Sequence, residues 1–220
     1  MNILIISAHP DDETIGCGGT ILKHKAAGDD LLWLIVTQTF TPQWTNEVIR
    51  RKALEVEKVA GAYQFTKTYK LGLETTRLDT LPQVEIIEKI RKVAQETKPD
   101  WVYLVNRSDV HSDHRIVFNS TMAVFKPFFK EFGAKRIFSY ECLSSTDVAP
   151  QIRNVFIPNI FSNITPYMDR KIEIMKMYET EIQKDPLPRG PSAIRALARY
   201  RGATIGVEYA EAFMLIREVS

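Results

Sequence analysis

Two apolar runs that each end in a cluster of metal-binding side chains place the strongest constraint on the fold. Ile3 to Ser7 has the pattern of a buried strand and leads into His9-Pro10-Asp11-Asp12-Glu13. Trp101 to Val105 has the same pattern and is followed by His111-Ser112-Asp113-His114. Because parallel strands end at a common edge of their sheet, we expect both polar clusters to lie at that edge.

Further apolar runs alternate with helical patterns along the chain. Strands are predicted at Leu31 to Val36, Tyr69 to Leu71 and Arg136 to Cys142, and helices over residues 14–27, 46–60, 82–98 and 113–125. This alternation predicts an α/β fold, Rossmann-like, with a mostly parallel sheet and helices on both faces. The metal site is then expected at the carboxyl edge of the strands.

The pattern loosens in the last third of the chain. We expect a β-like segment at Val155 to Ile157, a helix from Met168 to Thr180, a Pro-rich loop at 185–188 and a helix from Ser192 to Arg199. Apolar segments flank the Pro-rich loop closely, so we interpret it as a loop and not as a linker. The 220 residues are therefore expected to form a single domain over 1–220.

Composition excludes several classes of protein. The formal charge is +2, from 29 basic and 27 acidic residues without a basic run, so neither nucleic-acid binding nor an anionic membrane surface is indicated. No signal peptide and no apolar run near the roughly 18 residues of a membrane span occurs, which predicts a cytoplasmic location. The two cysteines, Cys17 and Cys142, are expected to pack as small apolar side chains. The oligomeric state stays open, a homo-oligomer included, because the phenylalanines at 125, 128, 129 and 132 suit a core or an interface, with the core favoured.

Histidine placement supports a metal site made of both clusters. Three of the four histidines lie in these two loops, and the fourth, His24, is expected on the solvated face of the first helix. The residues alone do not decide whether Asp11 or Asp12 would face an ion. Asp109 and Asp113 bracket His111 and are candidates for accepting an imidazole N–H.

The glycines of Gly16-Cys17-Gly18-Gly19 allow a different interpretation. They open a helix after the first strand, as in nucleotide-binding folds, but their spacing is not G-x-G-x-x-G and no ribose-binding carboxylate ends the second strand. We therefore expect them to let the helix backbone pack closely beneath the metal loop. A catalytically silent module that binds a nucleotide or a sugar is the alternative from another functional class.

The two motifs resemble a known family. Ala8 to Glu13, followed by Gly16 to Thr20 and partnered by Ser108 to Arg115, is similar to the LmbE-like, PIG-L type zinc-dependent N-deacetylases. That resemblance implies hydrolysis of an N-acetyl group on an amino sugar or sugar conjugate, with release of acetate. A zinc amidase that cleaves another acyl group or a thiol conjugate is the nearest alternative.

The resemblance also implies roles for individual residues. His9, Asp12 and His114 correspond to the zinc ligands, although Fe²⁺ or another divalent ion also suits them. Asp11 corresponds to the general base, and His111 to the residue on the side of the oxyanion, held protonated by Asp113 or Asp109. For contacts with the N-acetylated substrate, the candidates are Arg51 and Arg189.

Overall fold

The computed structural model describes residues 1–129, 131–149 and 155–220, and these form a layered α/β structure. Its strands are β1 (Asn2–Ser7), β2 (Asp30–Gln38), β3 (Lys67–Glu74), β4 (Trp101–Val105), β5 (Arg136–Tyr140), β6 (Ile160–Asn163) and β7 (Ala210–Glu218). Its helices are α1 (Asp12–Ala26), α2 (Asn46–Tyr63), α3 (Gln83–Thr97), α4 (Ser112–Val124), α5 (Met168–Met175) and α6 (Pro191–Thr204). Among these helices, none is long and apolar enough to cross a membrane.

All seven strands join one sheet, in the order β3-β2-β1-β4-β5-β7-β6. The first five pair in parallel, and β7 runs antiparallel to β5 and to β6. The helices pack in two groups, α1 with α2 and α5, and α3 with α4, as right-handed crossovers on two faces require. The predicted fold class is confirmed. Between β1 and β4 the strand order reverses, which is where ligands bind in such sheets.

Continuous apolar runs explain the central strands. Ile3 to Ile6 and Leu31 to Val36 are at most 8% exposed, because helices cover both faces of the parallel part of the sheet. Cys17 and Cys142 are buried and free, as expected. In the phenylalanine cluster, Phe125 and Phe132 are buried and Phe129 packs on the core, whereas Phe128 is 68% exposed.

The C-terminal elements differ most from expectation. The interpretation of Val155 to Ile157 as β-like is wrong, because the strand begins only at Ile160. Asn159 explains this limit: its backbone N–H donates to Phe213, but its side-chain oxygen, instead of the backbone, accepts the N–H of Leu215. The helix that was expected to reach Thr180 ends at Met175, and β7 had not been expected.

His24 is also placed differently. Its side chain is 11% exposed and packs edge-on against Trp101 and Tyr103. Nδ1 lies 2.7 Å from Asp29 Oδ2, and Nε2 lies 3.0 Å from the hydroxyl of Tyr103. The prediction of a solvated face is therefore wrong, because aromatic residues of β4 cover this part of α1.

Two glycines of α1 allow close packing beneath the first loop. A Cβ atom on Gly16 would lie 2.2 Å from the ring of Tyr140, and one on Gly19 would lie 2.7 Å from Ile164. Both neighbours are buried, so neither could move aside easily. The expected role of the glycines, close backbone packing, is confirmed.

This packing predicts opposite effects for two Gly→Ala substitutions in helices. Gly19→Ala is expected to destabilise the fold by about 1–3 kcal/mol through overpacking against Ile164. In α2, a Cβ atom on Gly61 would meet nothing within 4 Å, so Gly61→Ala is expected to stabilise by about 0.5–1 kcal/mol. Denaturant unfolding of both variants measures the difference. Equal effects of the two would show that the close approach at Gly19 is unimportant.

Candidate metal centre

Both polar clusters lie at the ends of neighbouring strands. β1 and β4 pair in parallel, with Ile3 opposite Trp101, so the chain leaves both strands at the same edge. His9 and Asp11 occupy the loop after β1, and α1 starts at Asp12. His111 precedes α4 as its N-cap residue, which places His114 in the first turn of that helix.

Three side chains from these loops surround one point. His114 Nε2 lies 3.3 Å from His9 Nδ1 and 3.3 Å from Asp12 Oδ1, and His9 Nδ1 lies 3.6 Å from Asp12 Oδ2. All three potential ligand atoms lie within 4.8 Å of one another. Two imidazole nitrogens and a carboxylate oxygen aimed at a shared point are a donor set that suits a divalent cation with an open position. The chemistry of the residues thus fits a metal.

Carboxylates orient both imidazoles of this group by contacting the ring nitrogen that points away from the shared point. His114 Nδ1 lies 2.6 Å from Asp109 Oδ2, and His9 Nε2 lies 3.0 Å from Asp113 Oδ2. A carboxylate can only accept, so these nitrogens carry the protons, and the opposite nitrogens face the shared point. Asp109 and Asp113 were expected beside His111. In the structure, Asp109 instead contacts His114 and Asp113 contacts His9.

His111 is held in a neutral form. Its Nδ1 accepts the backbone N–H of Asp113 at 3.2 Å, while the carboxylate of Asp113 is 4.0 Å away. Burial and the neighbouring imidazoles of His9 and His114 lower the pKa of His111 to about 4. The expectation of a protonated His111 is therefore corrected: the neutral ring presents Nε2–H as its donor.

Asp11 has an unusual backbone. Its φ of 118° lies in the left-handed region, which costs a non-glycine residue roughly 1–3 kcal/mol, and such strained residues often lie at functional sites. The carboxylate of Glu13 accepts the backbone N–H of Asp11 at 3.2 Å, which helps to hold this conformation. Glu13 is itself fully buried and accepts the hydroxyls of Tyr178 and Thr14.

Environment separates the two adjacent aspartates. Burial and the charge of Asp12 raise the pKa of Asp11 to about 7, although Arg189 opposes the shift. Burial acts on Asp12 in the same direction, but the charge of His114 and hydrogen bonds to both imidazoles outweigh it and hold the pKa of Asp12 well below its usual range. Such a difference between neighbouring carboxyl groups is typical of an acid–base pair with separate roles.

A cavity of about 430 Å³ opens above these groups. Arg189 lines it and donates to Asp11 Oδ2 at 3.3 Å and to Glu181 Oε2 at 2.8 Å. Arg51 does not line the cavity: its side chain is 53% exposed and donates to Glu179. Lys52 lines the cavity instead and donates to Glu181.

Lys52 could have been found from helical spacing. The cavity-lining residues of α2 are Ile49, Lys52, Ala53 and Val56, which recur at the three- and four-residue intervals of one helix face. Arg51 does not lie on that face of α2. Glu181 carried no such signal, because it lies in the irregular segment after α5.

Comparisons with known proteins agree with the motifs. The family model described as PIG-L, GlcNAc-PI de-N-acetylase, matches residues 4–125. A diacetylchitobiose deacetylase of Thermococcus kodakarensis is 27% identical over 225 residues, which cover 97% of this chain and 82% of that protein.

Solved structures show that the fold is shared. The N,N'-diacetylchitobiose deacetylase of Pyrococcus horikoshii aligns with a TM-score of 0.78 at 23% identity, over 97% of this chain and 83% of its own. GalB of Pseudomonas putida, a 4-carboxy-2-hydroxymuconate hydratase, aligns with a TM-score of 0.74 at 15% identity, over 100% and 98%. Since a hydratase has the same architecture, activity must be argued from the residues of the site.

Proposed function

The chain belongs to the PIG-L family of GlcNAc-PI de-N-acetylases, and from this we infer that it is an amide hydrolase that removes an N-acetyl group from an amino sugar or sugar conjugate. The resemblance carried by the sequence motifs is thereby confirmed. One observation supports the activity above all: Asp11, whose pKa is raised to about 7, adjoins the donor set of His9, Asp12 and His114.

We propose that His9, Asp12 and His114 bind zinc, with Fe²⁺ as a metal that the same donors accept. When bound, such an ion supplies Lewis-acid chemistry, because it acidifies a coordinated water and polarises the acetyl carbonyl. Asp109 and Asp113 fix the ring orientations of His114 and His9. Asp113, which the sequence suggested as a catalytic partner of His111, is thus proposed as a positioning residue.

Asp11 is proposed as the general base. A carboxyl group with a pKa of about 7 can accept a proton from the attacking water at neutral pH and return it to the departing nitrogen. His111 is proposed to donate Nε2–H to the oxygen on which negative charge develops, since its Nδ1 already accepts a backbone N–H.

The proposed substrate is a small N-acetylated sugar or glycoconjugate, because the relative from T. kodakarensis is described as acting on diacetylchitobiose. Arg189 and Lys52 offer cationic donors at the cavity wall for hydroxyl groups of the sugar. Acetate release from N-acetylglucosamine derivatives by protein of known metal content tests the proposal. Release of a different acid would favour a zinc amidase. Metal-free protein that a nucleotide stabilises and that cleaves no amide would favour a silent binding module.

Arg189 and Arg51 provide a matched pair of substitutions. Arg189→Gln is expected to lower kcat/KM by roughly 10- to 100-fold, as loss of a charged hydrogen bond does, because Arg189 contacts Asp11 in the cavity. Arg51→Gln is expected to change kcat/KM by less than about twofold, since exposed ion pairs contribute little. Initial rates across substrate concentrations measure both. A larger loss of kcat/KM in the Arg51 variant would indicate that Arg51, and not Arg189, contacts the substrate.

A further inference from the structure

A buried ion pair lies where helix α1 is interrupted. Cys17 has φ −141° and ψ 19°, which are not helical angles, so α1 consists of a short first segment and a longer second one. Lys171 of α5 and Glu211 of β7 meet there, with Nζ and Oε1 2.7 Å apart. Their exposed fractions are 2% and 4%, so neither charge is solvated by water.

The pair binds backbone groups on both sides of the interruption. Glu211 accepts the N–H of Gly19 at 2.8 Å and that of Thr20 at 2.7 Å. Lys171 donates to the carbonyl oxygen of Ile15 at 2.8 Å. In an uninterrupted helix, the N–H of residue 19 would bond to the carbonyl of residue 15. The two charged side chains thus link the groups that such a bond would join.

The signs of the charges match the two helix segments. Glu211 lies at the N-terminus of the second segment, where the helix dipole favours negative charge, and Lys171 lies at the C-terminal carbonyl of the first, where it favours positive charge. Buried ion pairs are often no more stabilising than apolar residues of similar volume. The geometry that this pair imposes on α1 therefore explains its presence better than a gain in stability does.

That geometry affects the metal centre directly. The first segment begins at Asp12, and Asp11 is its N-cap residue, so the orientation of this segment sets the directions of both carboxylates. We propose that Lys171 and Glu211 are positioning residues that fix the first segment of α1, and with it Asp11 and Asp12, relative to His9 and His114. This inference rests on the proposed function of the site. Both residues lie outside residues 4–125, which the family model matches.

The test compares Lys171→Met, Glu211→Gln and the double variant with the parent protein. Zinc affinity is measured by competition with a chromophoric chelator, without substrate, at a temperature where circular dichroism shows each variant to be folded. We expect the zinc Kd to rise about tenfold or more in all three, as it does when groups that orient metal ligands are lost. Acetate release is expected to fall through kcat more than through KM.

The sign of the effect at Lys171 separates positioning from electrostatics. If the pair acted only through its charges, Lys171→Met would tighten zinc binding and Glu211→Gln would weaken it. Positioning predicts weaker binding in both. Tighter binding by the Lys171 variant would therefore overturn the proposal.

Ile137→Ala serves as the stability control. Ile137 is fully buried near the N-terminal end of β5, whereas the site lies beyond the C-terminal ends of the parallel strands, so its truncation is expected to lower Tm at a distance from the site. This control is expected to leave the zinc Kd within about twofold of the parent value. If the Lys171 and Glu211 variants also lower only Tm and keep the parent zinc Kd, the proposal is wrong. Should a single variant not fold, the double variant, which contains no unpaired charge, decides the question.

The zinc measurement is independent of the substrate. A variant series that loses zinc affinity, in a protein that releases no acetate from any sugar tested, would support the positioning role and contradict the proposed activity. Full acetate release with unaltered zinc affinity in the variants would support the proposed activity and contradict the positioning role.

Discussion

Asp11→Asn is expected to lower kcat by roughly 10²- to 10⁴-fold, the usual contribution of a general base, while a full equivalent of metal stays bound. The amide cannot accept a proton from water, but it has the shape of the carboxylate. Asparagine is also among the residues that tolerate a positive φ, so the backbone at 118° should persist. Single-turnover rates and elemental analysis of the same preparation measure the two effects together.

Asp30→Asn is the matched control for this substitution. Asp30 is exposed at the start of β2, at the edge of the sheet remote from the cavity, so kcat is expected to stay within about twofold of the parent value. Loss of metal from the Asp11 variant would mean that Asp11, and not only Asp12, holds the ion. An unchanged kcat would remove Asp11 from the reaction.

Local patterns were sufficient to predict the parallel part of the sheet. Ile3 to Ser7 and Trp101 to Val105 are apolar at every position or nearly so, and the polar clusters that follow them had to lie at one edge once the strands were parallel. The antiparallel β6 and β7 could not be predicted in this way. They pair across 47 to 53 residues, Asn163 with Ala210 and Ile160 with Phe213, so no local pattern indicates this pairing, although Ala212 to Ile216 is itself an apolar run.

The directions of the side chains within the site could not be predicted from the sequence either. The motif indicated that carboxylates would support imidazoles, but not which pairs would form. Asp113 is two residues from His111, yet its carboxylate contacts His9, which is 104 positions away. Tertiary packing of α4 against the first loop, and not sequence proximity, determines these partners.

The residues that support the metal loop from the C-terminal part had no motif of their own. Lys171 and Glu211 look like ordinary surface charges in the sequence, because charged residues are rarely buried without a partner and the partner is 40 positions away. Glu181, which accepts hydrogen bonds from Arg189 and Lys52, likewise belongs to no recognisable motif. A glutamate flanked by alanines, as Ala210-Glu211-Ala212 is, was the one local sign of a buried charge.

His114→Ala is expected to abolish stoichiometric metal binding, because His114 Nε2 faces both His9 and Asp12 at 3.3 Å. Zinc at a thousand times its Kd stabilises a protein by about 4 kcal/mol, which corresponds to a rise in Tm of roughly 8–16 °C for a chain of this size. The parent protein should show that rise on addition of zinc after chelation, and the variant should not. His24→Ala alters the one histidine outside the site, and although less stable it should keep the full zinc response.

The pH dependence of zinc binding extends this prediction. Burial lowers the pKa of His114, but the charge of Asp12 and the hydrogen bond to Asp109 outweigh burial and raise it to about 10 in the metal-free protein. At pH 7 a metal must therefore displace a proton from His114, so the apparent affinity should rise at least about tenfold for each pH unit between 7 and 9, and more steeply where His9, whose pKa is also raised, is protonated. Calorimetry in buffers with different ionisation enthalpies counts the released protons. Binding without proton release would show that His114 is already neutral in the metal-free protein. In the separate test with His114→Ala, retention of zinc would exclude this imidazole as a ligand.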